Sequence, residues 1–217
     1  MLVLGIDTST PATGVAVCDV QTGGAAELAA LEVVDPRHSA EALAPLITRA
    51  LDACSRTPGD LDAIVAGLGP GPYTSLRVGI VTAAALGDAL AIPVYGVCSL
   101  DGFGGVSGSA SGRVTVVTDA RRREVYWARY ENGVRIEGPD VSAPQFVADA
   151  LEPGERVIGG GGELYAAVFG ASYDPEGRRH PDPANLIRHA VPQLGTPAAP
   201  LVPLYQRRPD ATPRTAA

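Results

Sequence analysis

Gly67-Leu-Gly-Pro-Gly-Pro-Tyr-Thr-Ser-Leu-Arg-Val-Gly, with the apolar run Ala63-Ile-Val-Ala before it and a long apolar segment after it, decides how the chain reads. The lead-in predicts a short buried strand. Three glycines and two prolines bar regular structure between Gly67 and Pro72 and predict a tight, backbone-exposed turn. Thr74 or Ser75 is the expected N-cap of a helix over about 75–90. That helix carries only Arg77, Thr82 and Asp88 as polar side chains after its first residue, so it is expected to be buried on nearly all sides. Gly79, Ala83 and Gly87 recur every four residues and form one smooth stripe. Glycine costs a helix about 1 kcal/mol against alanine, so close approach by something is implied. The stripe fits packing on the chain's own sheet or first helix, or docking of a partner. Arg77 and Asp88 in so short a segment exclude a membrane span.

Working outward, Leu2-Val-Leu-Gly-Ile and Val15-Ala-Val-Cys predict a hairpin around Asp7-Thr-Ser-Thr-Pro, with a third strand over 25–34. An acid followed by small hydroxyl residues at such a turn can orient a magnesium-bound water while backbone N–H groups meet phosphate. The same residues also favour ordinary capped turns. Ser39 is the expected N-cap of a first helix, whose Leu43, Leu46, Ile47, Ala50, Leu51 and Cys54 share one stripe. Pro45 sits inside that helix and is expected to bend it.

Further on, Ile92-Pro-Val-Tyr-Gly-Val is a strand, and a Gly/Ser-rich stretch from Ser99 to Gly112 reads as a domain boundary. Two more strands flank Asp119-Ala-Arg-Arg-Arg, an acid-bearing turn that echoes the first. Arg121, Arg122 and Arg123 read as a solvated turn, or as a contact to phosphate or to an acidic partner. Val157-Ile-Gly-Gly-Gly-Gly-Glu-Leu-Tyr joins a strand to a short helix through four glycines, which suit either an anion or close packing. A last helix is expected over 184–189, then a Pro/Ala-rich tail in which Val202-Pro-Leu-Tyr-Gln-Arg-Arg-Pro-Asp-Ala docks and the rest is disordered.

The 217 residues carry a net charge of −7, with 46% hydrophobic residues, 26 glycines and 19 prolines. That is a globular α/β composition without the basic footprint of an independent nucleic-acid binder. Cys18, Cys54 and Cys98 stand apart in apolar settings and read as reduced core residues. Met1-Leu-Val-Leu-Gly-Ile-Asp lacks a basic leader, so a cytoplasmic protein is expected.

Taken together, Leu4-Gly-Ile-Asp-Thr-Ser, Gly69-Pro-Gly-Pro-Tyr-Thr-Ser-Leu-Arg-Val-Gly, Asp119-Ala-Arg-Arg-Arg-Glu-Val-Tyr-Trp-Ala and Pro203-Leu-Tyr-Gln-Arg-Arg-Pro-Asp-Ala resemble the TsaB (YeaZ) family from residue 2 to about 211. The specific segment is Gly69, Pro70, Gly71, Tyr73, Thr74 and Arg77. The resemblance implies an α/β, actin-like ATPase (ASKHA) fold of two duplicated βββαβα subdomains, the second reduced. The expected division is 1–99, 100–196 and a tail over 197–217. It further implies a partner of the TsaD catalytic subunit in threonylcarbamoyl transfer to adenosine 37 of tRNA. A TsaE-type ATPase and a second copy of the chain are further partners, tRNA is reached only indirectly, and no membrane is involved. Partner-facing residues would lie on the first-domain helices: Leu43, Leu46, Ile47, Ala50, Leu76, Gly79, Ile80, Ala83 and Gly87.

TsaD-type subunits carry a His-x-x-x-His pair whose positions match Ser99 and Phe103, so the metal site is expected to be lost. The resemblance and the residues together imply no catalytic or metal-binding residues and no required cofactor. Weak ATP or ADP binding through Asp7, Thr8 and Ser9 is expected at most. The alternative is a magnesium-dependent ATPase or small-molecule phosphotransferase that uses Asp7 or Asp119 for magnesium and the glycines at 159–162 for the nucleotide. A peptidase is a third reading, but no Ser/His/Asp or Cys/His set stands in a local motif.

Overall fold

The computed structural model describes residues 1–35, 37–104 and 112–206. The first sheet is built from β1 (Leu2–Asp7), β2 (Ala12–Gln21), β3 (Gly24–Val34), β4 (Ala63–Gly67) and β5 (Val94–Val97), in the order β3-β2-β1-β4-β5. The β1–β2–β3 run is antiparallel, and β4 and β5 add in parallel. Parallel strands need crossovers, and α1 (Ser39–Ala53) and α2 (Tyr73–Leu90) supply them. The second sheet repeats the plan with β6 (Arg113–Asp119), β7 (Val125–Glu131), β8 (Val134–Ser142) and β9 (Arg156–Ile158), in the order β8-β7-β6-β9. Its helices are short: α3 (Pro144–Asp149), α4 (Gly160–Leu164) and α5 (Ala166–Phe169). Two hairpin-led βββαβα units, the second reduced, make the α/β, actin-like layout expected from the sequence.

The helices α1 and α2 cover one face of the first sheet. Leu43, Leu46, Ile47, Ala50, Leu51 and Ala83 pack there on Leu4, Ile6, Val15, Val17 and Ile64. The other face is covered from far along the chain by α6 (Pro183–Ala190), whose Ala184, Leu186, Ile187 and Ala190 meet Val3, Ala16, Val65, Tyr95 and Val97. This corrects the domain division: 183–190 follows the second sheet in sequence but belongs to the first in space. The reason is that the strands β1, β2 and β4 send apolar side chains to both faces, and α1 and α2 can bury only one of them. The carboxylate of Asp101, in the turn between the sheets, is buried, accepts from the Tyr130 hydroxyl at 2.8 Å and pairs with Arg135 at 3.0 Å. It ties the joint of the two units.

Two helix starts differ from expectation. The helix α1 begins at Ser39 with His38 in the cap position, and the Ser39 hydroxyl is buried without a partner. The helix α2 begins at Tyr73 and has Pro72, not Thr74 or Ser75, as its N-cap. Proline's fixed φ presets that entry without a side-chain acceptor. The Gly69–Pro70 peptide in the loop before it is cis. The end of the expected docking segment, 207–211, and the expected disorder of 212–217 lie outside the described residues.

Candidate functional site

The two stretches that the sequence singled out, Asp7-Thr-Ser and the glycine loop with α2, form one interlocked unit. Asp7 Oδ1 accepts from the Ser9 N–H at 2.8 Å and the Ser9 hydroxyl at 2.7 Å. Its Oδ2 is buried, has no partner of hydrogen-bond geometry, and occupies the space a Gly67 side chain would need. Thr8 Oγ1 donates to the Ser75 carbonyl at 2.6 Å and accepts from the Gly79 N–H at 3.1 Å, which pins the turn to α2. A Cβ at Gly79 would lie 2.5 Å from that oxygen. A Cβ at Gly71 would meet the Ser9 backbone, with Cα and C both at 2.9 Å. Each residue of the turn therefore has its own glycine: Gly67 for Asp7, Gly79 for Thr8 and Gly71 for Ser9. The loop is closed from the other side by Ser99, whose hydroxyl accepts from the Gly69 N–H at 2.9 Å and whose own N–H donates to the Gly69 carbonyl at 2.8 Å.

This interlock decides the small-residue stripe. Gly79 lies on Thr8, Ala83 is in the core under α1, and Gly87 sits against Val94. Leu43, Leu46, Ile47, Ala50, Leu76 and Ile80 are buried as well. As a partner surface these nine residues are corrected: the chain's own turn and sheet already cover them. The face of α2 left in water carries Arg77, Val81, Ala85 and Asp88, with Ala84 half-buried beside them. Val81 is 63% exposed. The signal for this was in the sequence. Arg77 and Asp88 are about three turns apart and so share a side, while Gly79 points roughly 200° away.

The cleft between the two units, about 440 Å³, is lined by Ser9, Thr10, Pro11, Val34, Pro72, Thr118, Asp119, Arg121, Gly160, Glu163, Leu164, Arg179 and His180. Asp7 and Thr8 are not among them. The Asp119 carboxylate accepts from the Arg121 N–H at 2.8 Å and faces its guanidinium at 3.3 Å. Arg121, Arg122 and Arg123 all hold positive φ, at 62°, 54° and 64°. Such a left-handed run costs about 1–2 kcal/mol per residue, and no glycine or asparagine announces it in the sequence. Gly159 and Gly161 pack on the backbone of Val117 and Thr118, which favours the close-packing reading of the four glycines. The residues present do not fit a magnesium–nucleotide clamp, because one acid is turned inward and the other is engaged by arginine. Gly160, Glu163 and Leu164 come from the glycine-run segment that the sequence singled out, whereas Thr118, Arg179 and His180 were missed as cleft residues, since none of these three stands in a motif.

Ser99 and Phe103, the two positions that the resemblance sets against a TsaD-type histidine pair, are both buried, Phe103 with Leu100, Val114 and Ile158. Of the cysteines, Cys18 and Cys98 are buried free thiols, and burial pushes both up to about 12.

Burial also raises the Asp7 pKa, against the neighbouring Ser99 and Ser9 hydroxyls and the Ser9 N–H, which lower it. With the folded value above the unfolded one, the native state holds the proton more tightly. Stability is then lost as pH rises through that interval and stays lower at neutral pH. Asp7→Asn keeps an acceptor for Ser9 and removes the titration. It should melt above the wild type at pH 7, by about 2–4 °C for each kcal/mol recovered, and the gap should close as pH falls toward 4. Thermal melts across that range check this; a variant less stable than wild type at pH 7 refutes it.

The family model for TsaD, tRNA N6-adenosine threonylcarbamoyltransferase, matches residues 32–159. An uncharacterized protein of Mycobacterium tuberculosis is 47% identical over 211 residues, covering 97% of this chain and 94% of that one. The tRNA threonylcarbamoyladenosine biosynthesis protein TsaB of Escherichia coli is 33% identical over 172 residues, covering 75% of this chain and 72% of its own. A Pseudomonas aeruginosa crystal structure, described as an uncharacterized protein with similarity to peptidase YEAZ, superposes with a TM-score of 0.76 at 27% identity. It covers 95% of this chain and 99% of the other. A second, YeaZ from the same organism, gives 0.69 at 28% identity, covering 86% and 90%.

Proposed function

The chain belongs to the TsaB (YeaZ) family, and from that premise we propose that it is a non-catalytic partner of a TsaD-type subunit in the transfer of threonylcarbamoyl to tRNA adenosine. The observation that carries this reading is the outward face of α2. Val81, Ala84 and Ala85 form an apolar strip with Arg77 and Asp88 at its two ends, on a helix whose other side is fully used by the chain's own core. A helix face of that kind favours a protein partner over water. The buried side chains of Ser99 and Phe103 support a role without metal chemistry at those positions. The inward Asp7 supports a role in which ATP or ADP is not required. A TsaE-type ATPase and a second copy of the chain are candidate companions of the same assembly, and tRNA would be held by the other subunits, given the net charge of −7. Among the described residues no helix is long and apolar enough to cross a membrane, and a cytoplasmic site of action goes with the proposal.

The phosphotransferase alternative draws on the cleft with Ser9, Thr10 and Asp119. One reconstitution separates the two. The purified chain is mixed with the TsaD-type subunit of the same cell, and complex formation, tRNA modification and ATP turnover are followed. The expected result is a stable complex, modification that depends on this chain, and no ATP turnover by the chain alone. Magnesium-dependent turnover by the isolated chain, with no complex, would overturn the proposal.

A further inference from the structure

The last described stretch of the chain returns to the start of α2. The Leu204 N–H donates to the Leu68 carbonyl at 2.8 Å, and the Leu204 side chain packs on the core that holds Leu100 and Phe103. This anchor places Tyr205 over the family motif. The Tyr205 ring stacks on Tyr73 at 5.2 Å between centroids, with 27° between their planes. The Arg77 guanidinium lies 4.0 Å from the Tyr73 centroid and 5.9 Å from that of Tyr205, and its Nε–H donates to the Tyr205 hydroxyl at 2.8 Å. Two aromatic faces and one hydrogen bond thus fix a side chain that would otherwise be free to move. Among the described residues no acceptor lies against Nη1 or Nη2. A guanidinium held in this way, with its terminal nitrogens unspent among the described residues, is a preorganised fork for a planar oxyanion.

We propose that this strap-built fork is the receptor for an aspartate or glutamate side chain of the protein partner that covers α2. The inference rests on the partner reading given above. A protein carboxylate is favoured over an RNA phosphate on two grounds. The strip that continues from Arg77 along the helix is apolar, through Val81, Ala84 and Ala85, and that suits a protein surface. The chain is acidic overall, so its field repels a polyphosphate backbone while one ordered cation still selects a single acid. The motif arginine then serves recognition, and the C-terminal strap exists to hold it in register.

Calorimetric titration of the TsaD-type subunit with wild type, Arg77→Gln, Arg77→Lys and Tyr205→Phe tests this. Arg77→Gln should weaken binding at least tenfold. Arg77→Lys should recover only part, because lysine keeps the charge but not the fork, and Tyr205→Phe should fall between. All should melt close to wild type. Arg77→Gln binding within twofold of wild type, while wild type binds, overturns the receptor and leaves the partner reading standing. A loss confined to tRNA capture by the assembled complex, or to self-association through Asp88 of a second copy, overturns the assignment to this partner's carboxylate. A wild type that binds nothing overturns the partner reading and the receptor with it.

Discussion

Gly79→Leu should lower the melting temperature by roughly 6–12 °C, or about 3 kcal/mol at 2–4 °C per kcal/mol for a domain of this size. Leucine is the better helix former by nearly 1 kcal/mol, so an exposed glycine at this position would give a gain. The sign reverses because the site is full: even a Cβ would lie 2.5 Å from Thr8 Oγ1. That oxygen cannot retreat without giving up its bond to the Ser75 carbonyl and the bond it accepts from the Gly79 N–H. Overpacking costs about 1–3 kcal/mol, and a buried donor left unpaired costs about 1–3 kcal/mol more. Ala83→Leu, in the core under α1, should behave the same way. Thermal unfolding of the isolated chain reads both. A Gly79→Leu protein as stable as wild type would mean that the interlock between the Asp-Thr-Ser turn and α2 is not formed in solution.

Val81→Arg should weaken partner binding roughly a hundredfold and leave the fold alone. Val81 is 63% exposed, one turn along from Arg77, so arginine there meets only water in the free chain, and the melting temperature should move by no more than about 2 °C. In a complex that covers α2 the same arginine becomes a desolvated charge beside an existing cation, which costs several kcal/mol. A loss of about 3 kcal/mol is roughly a hundredfold in dissociation constant. Size-exclusion and titration against the TsaD-type subunit measure it. Unaltered affinity would remove the outward face of α2 from the interface. The contrast with Gly79→Leu matters: one variant tests the fold and the other the surface, on opposite sides of one helix.

Most strands and the two hairpins were legible because short apolar runs bounded by turn residues leave little choice, while β8 and the parallel pairings were not read. Leu2–Asp7, Ala63–Gly67 and Arg113–Asp119 all became central strands. The glycines at 67, 71 and 79 announced close approaches. The charges at Arg77 and Asp88 marked the wet side of α2, though the stripe of small residues drew attention to the wrong face. Helix starts were less legible, since Pro72 caps by its fixed φ, without the side-chain acceptor that Thr74 or Ser75 offers.

By itself, the sequence determined two duplicated units, the acid-bearing turns and the family motifs, because these depend on residues close together in the chain. The tertiary structure alone decided what each glycine approaches, that α6 returns to the first sheet, and that Arg77 meets Tyr205 across 128 positions. Periodicity shows that an element has an inner face; only the three-dimensional packing shows what that face is pressed against.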